Sequence, residues 1–236
     1  MADLWLVLVY ATLAGATIPL GGFLASVEHV RPRWREEELR HTVIAFGGGV
    51  LLAAVALVLV PEGRRVLPAW ASAAAVAGGG ILFMFVDRRI AARGGSAAQL
   101  LAMLLDFVPE SIALGALLTQ QPSSGLLLAL LIGWQNFPEG FNAYRELRAS
   151  GMASGRILAG FALLVLLGPA AAALGYLWLR ELPAVLGVLM LISAGGILYL
   201  TFQDIAPRAR LERHWAPPLG AVFGFLLGMT GQQLLG

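Results

Sequence analysis

The chain contains no cysteine and no lysine, and charge of either sign is scarce. Without cysteine there are no disulfides, no thiolate metal ligands and no thiol redox chemistry, and the compartment stays open on that ground. Only 13% of the 236 residues are charged while 58% are hydrophobic, with a mean hydropathy of +0.79, which excludes an ordinary soluble domain. The sixteen basic residues are all arginine and leave a net charge of +2, too small and too scattered over loops to make a nucleic-acid surface. No nucleic-acid partner is expected. What remains is the composition of an integral membrane protein, all-α, with the lipid bilayer as its surroundings.

Crossing the hydrocarbon takes about 20 apolar residues, and eight stretches qualify: 4–27, 42–61, 69–86, 97–118, 124–143, 156–178, 184–203 and 217–235. The separators (His29 to His41, Glu62 to Pro68, Asp87 to Ser96, Gln120 to Ser124, Tyr144 to Gly155, Arg180 to Pro183, Asp204 to Pro218) are too short to hold a soluble domain. Residues 1–236 therefore read as one transmembrane domain. The loops after the first, third, fifth and seventh spans carry thirteen of the sixteen arginines, and the other loops carry only Arg64, Arg65 and Arg180. The positive-inside rule makes the first set cytoplasmic and puts both termini outside a cell membrane. Asp3 before a full-length apolar span, in place of a basic region before a short one, predicts that the first span is retained rather than cleaved as a signal peptide.

Two strings stand out within this apolar background: Asp106-Phe-Val-Pro-Glu110-Ser in the fourth span and Gln135-Asn-Phe-Pro-Glu139-Gly in the fifth. A carboxylate near the bilayer centre costs about 2.5 to 3.5 kcal/mol on insertion scales, so such residues face the bundle interior and mark an ion or proton route. On a 3.6-residue period Gln99, Asp106 and Glu110 share one stripe, and Gln135, Glu139, Asn142 and Glu146 share another. The two spans run in opposite directions, so Asp106/Glu110 and Gln135/Glu139 are predicted to meet at one depth, with Gln99, Asn142 and Glu146 lining an exit on the cytoplasmic side. Pro109 and Pro138 lack the N–H that would bond to Leu105 and Trp134, which predicts kinks and freed carbonyl oxygens. Carboxylates, amide oxygens and carbonyls make an oxygen-rich cage for a divalent cation.

At this spacing, in the fourth and fifth of eight spans, these residues resemble the prokaryotic branch of the ZIP family of divalent-metal transporters. Gly47-Gly-Gly-Val-Leu-Leu-Ala-Ala with Pro61-Glu62, Leu167-Gly-Pro169, and Gly195-Gly-Ile-Leu-Tyr with Gln203-Asp204 look like that family's second, sixth and seventh helices. The resemblance implies an eight-helix bundle in which helices 1–3 and 6–8 form an inverted repeat around helices 4 and 5, a carrier rather than an enzyme, no prosthetic group, and the metal as substrate. It leaves a homodimer open. The family's helix 4 pattern is typically His-Asn-x-Pro-Glu-Gly; here Asp106 replaces the histidine and Phe107 the asparagine. The helix 6 glutamate before the proline becomes Gly168, and a helix 2 methionine becomes Leu51. These losses fall on the second of the family's paired metal positions, which implies a single site of Asp106, Glu110, Gln135 and Glu139 with Asn136 peripheral. An all-oxygen set shifts preference toward manganese, magnesium or ferrous iron, although zinc and cadmium remain candidates.

A weak echo supports the inverted repeat, because Gly48-Gly-Val-Leu and Gly195-Gly-Ile-Leu precede Pro61 and Pro207 by nearly equal distances. A non-transporting membrane metal sensor is the alternative reading. An intramembrane enzyme fits less well, since no zinc triad and no nucleophile paired with a base occur in the spans. Glu62 and Gln203-Asp204 read as solvated helix ends. His29, His41 and His214 read as interfacial residues, and Gly220, Gly224 and Gly228 as a stripe that packs the last span inside the bundle.

Overall fold

In the computed structural model the described residues are 3–28, 33–93, 98–210 and 215–235, less the side chains of 33–36, 93, 98, 99 and 102. They form eight helical rods and no strand. We number them α1 (Leu4–Val27), α2 (33–64), α3 (Ala69–Arg93), α4 (Ala98–Gln120), α5 (Pro122–Ala149), α6 (Ser154–Glu181), α7 (Pro183–Ala209) and α8 (Leu219–Leu235). Six of them are long and apolar enough to cross a membrane on those grounds alone, and α8 is a shorter apolar rod. The exception is α5, which carries the polar string of the fifth span and buries it among its neighbours.

Most rods outrun the hydropathy boundaries. α2 begins at Arg33 rather than near 42, α3 continues to Arg93, and α5 runs to Ala149. A helix satisfies its own backbone and has no reason to stop where the apolar residues do. Pro122 and Pro183 open α5 and α7 at the first turn, where a missing N–H costs nothing. Beyond its far end α5 stops at Gly151, which takes a φ of 92°. There the Gly151 N–H donates to Arg148 O and the Met152 N–H to Leu147 O, the paired bonds of a Schellman cap.

Helical backbone continues through Pro109 and Pro138, and regular α geometry is interrupted elsewhere. Val55–Leu59 in α2 and Thr201–Ile205 in α7 are π turns, each ending two residues before a proline, Pro61 and Pro207. A proline inside a helix removes an i→i−4 bond, and widening the preceding turn to i→i−5 bonds accommodates that loss. α6 breaks at Val165 and Leu166, just upstream of Pro169.

The packing pairs rods across the chain. α1 packs most extensively on α5, and α4 on α5 and α6; α2 packs on α8, and α3 on α7. Exchanging α1–α3 with α6–α8 and α4 with α5 maps these pairs onto one another, as it does the two π turns. Small residues set the close crossings. A Cβ on Gly140 would collide with the Ile18 carbonyl, and one on Gly175 with the Ile112 carbonyl. Gly220, Gly224 and Gly228 are buried, facing Thr42, Phe46 and Ala53 of α2, so the α8 stripe packs inside the bundle.

Candidate metal centre

α4 and α5 bring the two polar strings together in the interior. The Gln135 Nε2 donates to Glu110 Oε2 at 2.5 Å, and the Phe107 N–H donates to Asp106 Oδ1 at 2.8 Å. Asp106, Glu110, Gln135 and Glu139 are all buried, Glu110 and Gln135 completely. The carboxyl groups of Asp106, Glu110 and Glu139 lie close enough to act on one another electrostatically. Asn136, one residue round the helix from Gln135, turns instead toward α1, where its Nδ2 makes a long 3.4 Å bond to the Ala14 carbonyl.

Several buried oxygens here have no donor: Glu110 Oε1, Gln135 Oε1, Asn136 Oδ1, Glu139 Oε2 and Asn142 Oδ1. Each unsatisfied acceptor out of water costs about 1–3 kcal/mol. A run of acceptors without donors on facing helices is chemically a receptor for protons or a cation. Among the described residues no three His, Asp or Glu side chains are already gathered around one metal position. The Gln135 amide faces Glu110 with its nitrogen and leaves its oxygen without a partner.

A cavity of about 590 Å³ leads from Glu139 to the arginine-rich end of the bundle. Asn142 and Glu146 line it, as does Asp204 of α7, and Arg40, Arg145 and Arg208 stand in its wall. The placement of Asn142 and Glu146 agrees with their predicted stripe, whereas the side chain of Gln99 lies outside the described residues. Gly47 and Gly48 of α2 also line it, and a Cβ on Gly47 would come within 3.0 Å of Pro138.

His41 takes no part in this centre. The His41 Nδ1 meets the backbone carbonyl of Arg208 at 2.5 Å, and His29 and His214 lie outside the described residues. One sequence reading is corrected. Glu62 is no solvated terminus: it is only 8% exposed and accepts hydrogen bonds from Ser124 Oγ at 2.6 Å and Arg65 at 2.7 Å. Hydropathy sees a charge near a helix end and cannot see the neighbouring helix that covers it.

Residues 91–235 match the ZIP zinc transporter family, a stretch that takes in both polar strings and five of the eight rods entire. The chain belongs to the ZIP zinc transporter family. It is 34% identical over 140 residues to the zinc transporter GufA of Myxococcus xanthus, an alignment covering 58% of this chain and 54% of that protein. The chain thus spans about half the length of that relative. Family membership and the apolar rods together make it a multi-pass membrane protein.

Phe107 of α4 and Gly168 of α6 meet in space. Phe107 is completely buried, and its ring tip lies 3.1 Å from where a Cβ on Gly15 would be and 2.9 Å from where one on Gly168 would be. The Phe107 ring thus fills the room beside Gly15 and Gly168. Leu51 is packed in the apolar core.

Proposed function

We propose that the chain carries divalent metal cations across the membrane toward the cytoplasm, binding one ion at a time between α4 and α5 at Asp106, Glu110, Gln135 and Glu139, with Asn136 to one side. The observation that carries this reading is the set of buried, unpartnered oxygens on facing helices, in a chain of the ZIP family. A cation offers these acceptors what no protein donor supplies. Rotating the Gln135 amide by half a turn would present Oε1 in place of Nε2, converting the bond with Glu110 into two oxygens facing one ion. The orientation follows from the arginines, with both termini outside and the 590 Å³ cavity opening inward past Asn142 and Glu146.

A single ion per cycle is supported by Phe107, which leaves no space beside Gly168 for a second. The donors are all oxygen, which favours manganese, magnesium or ferrous iron, while the relative's name points to zinc. Uptake by proteoliposomes across manganese, iron, zinc, cadmium and magnesium separates these, and Glu139→Ala is expected to abolish uptake of whichever ion is carried. Full uptake by that variant would refute the assigned site. Asp106 and Gly168, where the resemblance implies a histidine and a glutamate, support one second reading, a membrane metal sensor that binds without transport. It predicts metal-dependent thermal stabilisation of the detergent-solubilised protein with no flux.

A further inference from the structure

Among the described residues Glu62 is the one buried carboxylate that the candidate metal centre does not use. Its position is electrostatically poor, because it lies in the last turn of α2, where the negative end of the helix dipole disfavours an anion. Arg65 offsets that charge from the same helix, one turn on, and is itself exposed. Ser124, in the first turn of α5, adds the hydrogen bond that crosses between rods.

The two sides of this bond are held differently. The end of α2 is clamped to α7 through Gly63 and Gly187: a Cβ on Gly63 would lie 2.8 Å from Leu191 Cγ, and one on Gly187 would lie 2.8 Å from the Gly63 carbonyl. Ser124 belongs to the rod that carries Gln135, Asn136 and Glu139, about 16 Å along its axis from Gln135. Between them Leu127, Leu128, Leu131 and Ile132 of α5 are buried with Leu51, Val55, Val58 and Leu59 of α2 in one apolar cluster. At this end, then, a dry seal lies over the metal centre, and its rim carries a single charged hydrogen bond between α2 and α5.

We propose that the Glu62 carboxylate and the Ser124 hydroxyl form a latch that holds this face closed while the arginine-rich face is open. The latch rests on the reading of the chain as a carrier whose centre is reached from alternate faces. For α5 to expose its ligands to the Glu62 side, the Leu127–Ile132 stretch must separate from α2 and the Ser124 bond must break. Losing a hydrogen bond to an ionised group would raise the open population by about ten- to a hundredfold.

The test uses thiol labelling, which the cysteine-free chain makes clean. Leu128→Cys puts a single thiol in the seal, and a membrane-impermeant maleimide is added to sealed vesicles from the Glu62 side. Labelling is expected to be slow in that parent, about tenfold or more faster with Ser124→Ala, and back to the parent rate with Ser124→Thr, which keeps the hydroxyl. Arg65→Ala, which leaves the α2–α5 bond in place, should label at the parent rate. Should Leu128→Cys prove unstable, Leu131→Cys serves the same purpose. An unchanged rate with Ser124→Ala, or equal acceleration by Arg65→Ala, overturns the latch. Labelling needs no metal, so accelerated labelling without flux condemns the carrier reading alone, and flux with unchanged labelling condemns the latch alone.

Discussion

α5 meets α2 in opposite ways at its two ends. Toward the arginines, Glu139, Asn142 and Glu146 share a cavity with Arg40, Gly47 and Gly48. Toward Glu62, leucine and isoleucine side chains fill the same interface, and a buried carboxylate–hydroxyl bond lies at its rim. One helix thus supplies a polar wall and a dry seal, with the metal centre where they meet. The difference follows from side-chain size. Glycines on α2 line the cavity beside Pro138, whereas Leu51, Val55 and Leu59 are buried with Leu128 and Leu131 in one apolar cluster. In this structure the candidate centre accordingly opens toward the arginines and is covered toward Glu62.

The largest expected effect tests the seal. Leu128 is completely buried, so Leu128→Ala should lower the thermal stability of the solubilised protein by about 2–5 kcal/mol through lost contacts and the cavity left behind. Asn142→Ala at the open end should change it by less than about 1 kcal/mol, since its one resolved hydrogen bond is to a carbonyl of its own helix. Equal losses at the two positions would erase the distinction between seal and cavity. Next in size is the pair of carboxylates. Glu110→Ala strands the Gln135 amide and should cost about 1–3 kcal/mol in addition to uptake. Glu139→Ala should abolish uptake with no such loss, because it removes a buried acceptor that already lacks a partner. A thermal shift for Glu139→Ala as large as that for Glu110→Ala would mean that Glu139 has a structural partner after all.

The meeting of the two polar strings was legible in the sequence because the physics that brings them together is periodic and local. Carboxylates four residues apart share a helix face, antiparallel spans bring two such faces to one depth, and intramembrane charge is too costly to leave without purpose. Asn142 and Glu146 extend the same face and do line the cavity. What escaped depends on partners distant in sequence. Glu62 looked solvated because nothing local indicates that Ser124, sixty-two residues away, would cover it. The ring of Phe107 entering the space between Gly15 and Gly168 joins three helices and has no periodic signature. The prolines of α4 and α5 attracted attention as kinks, yet the π turns formed before Pro61 and Pro207. Helix ends were placed too early for a simpler reason: hydropathy falls where charged residues begin, while backbone hydrogen bonding carries on.

The smallest effect concerns the cavity mouth. Arg208 and Asp204 stand one turn apart on α7 at 3.7 Å, both partly solvated, and both line the cavity. A pair of this kind contributes less than about 1 kcal/mol, so Arg208→Ala should leave the melting temperature nearly unchanged. The His41 bond to this position survives the substitution, because its acceptor is the backbone carbonyl. What changes is the field an emerging cation meets: Asp204 loses a neighbouring positive charge and attracts the ion more strongly. Uptake by Arg208→Ala is therefore expected to differ from the parent by no more than a few-fold at low ionic strength. The difference should vanish near 1 M salt, where the screening length falls to about 3 Å. An effect of the same size at Arg65, on the sealed end, would show that uptake responds to surface charge in general and not to the wall of this cavity.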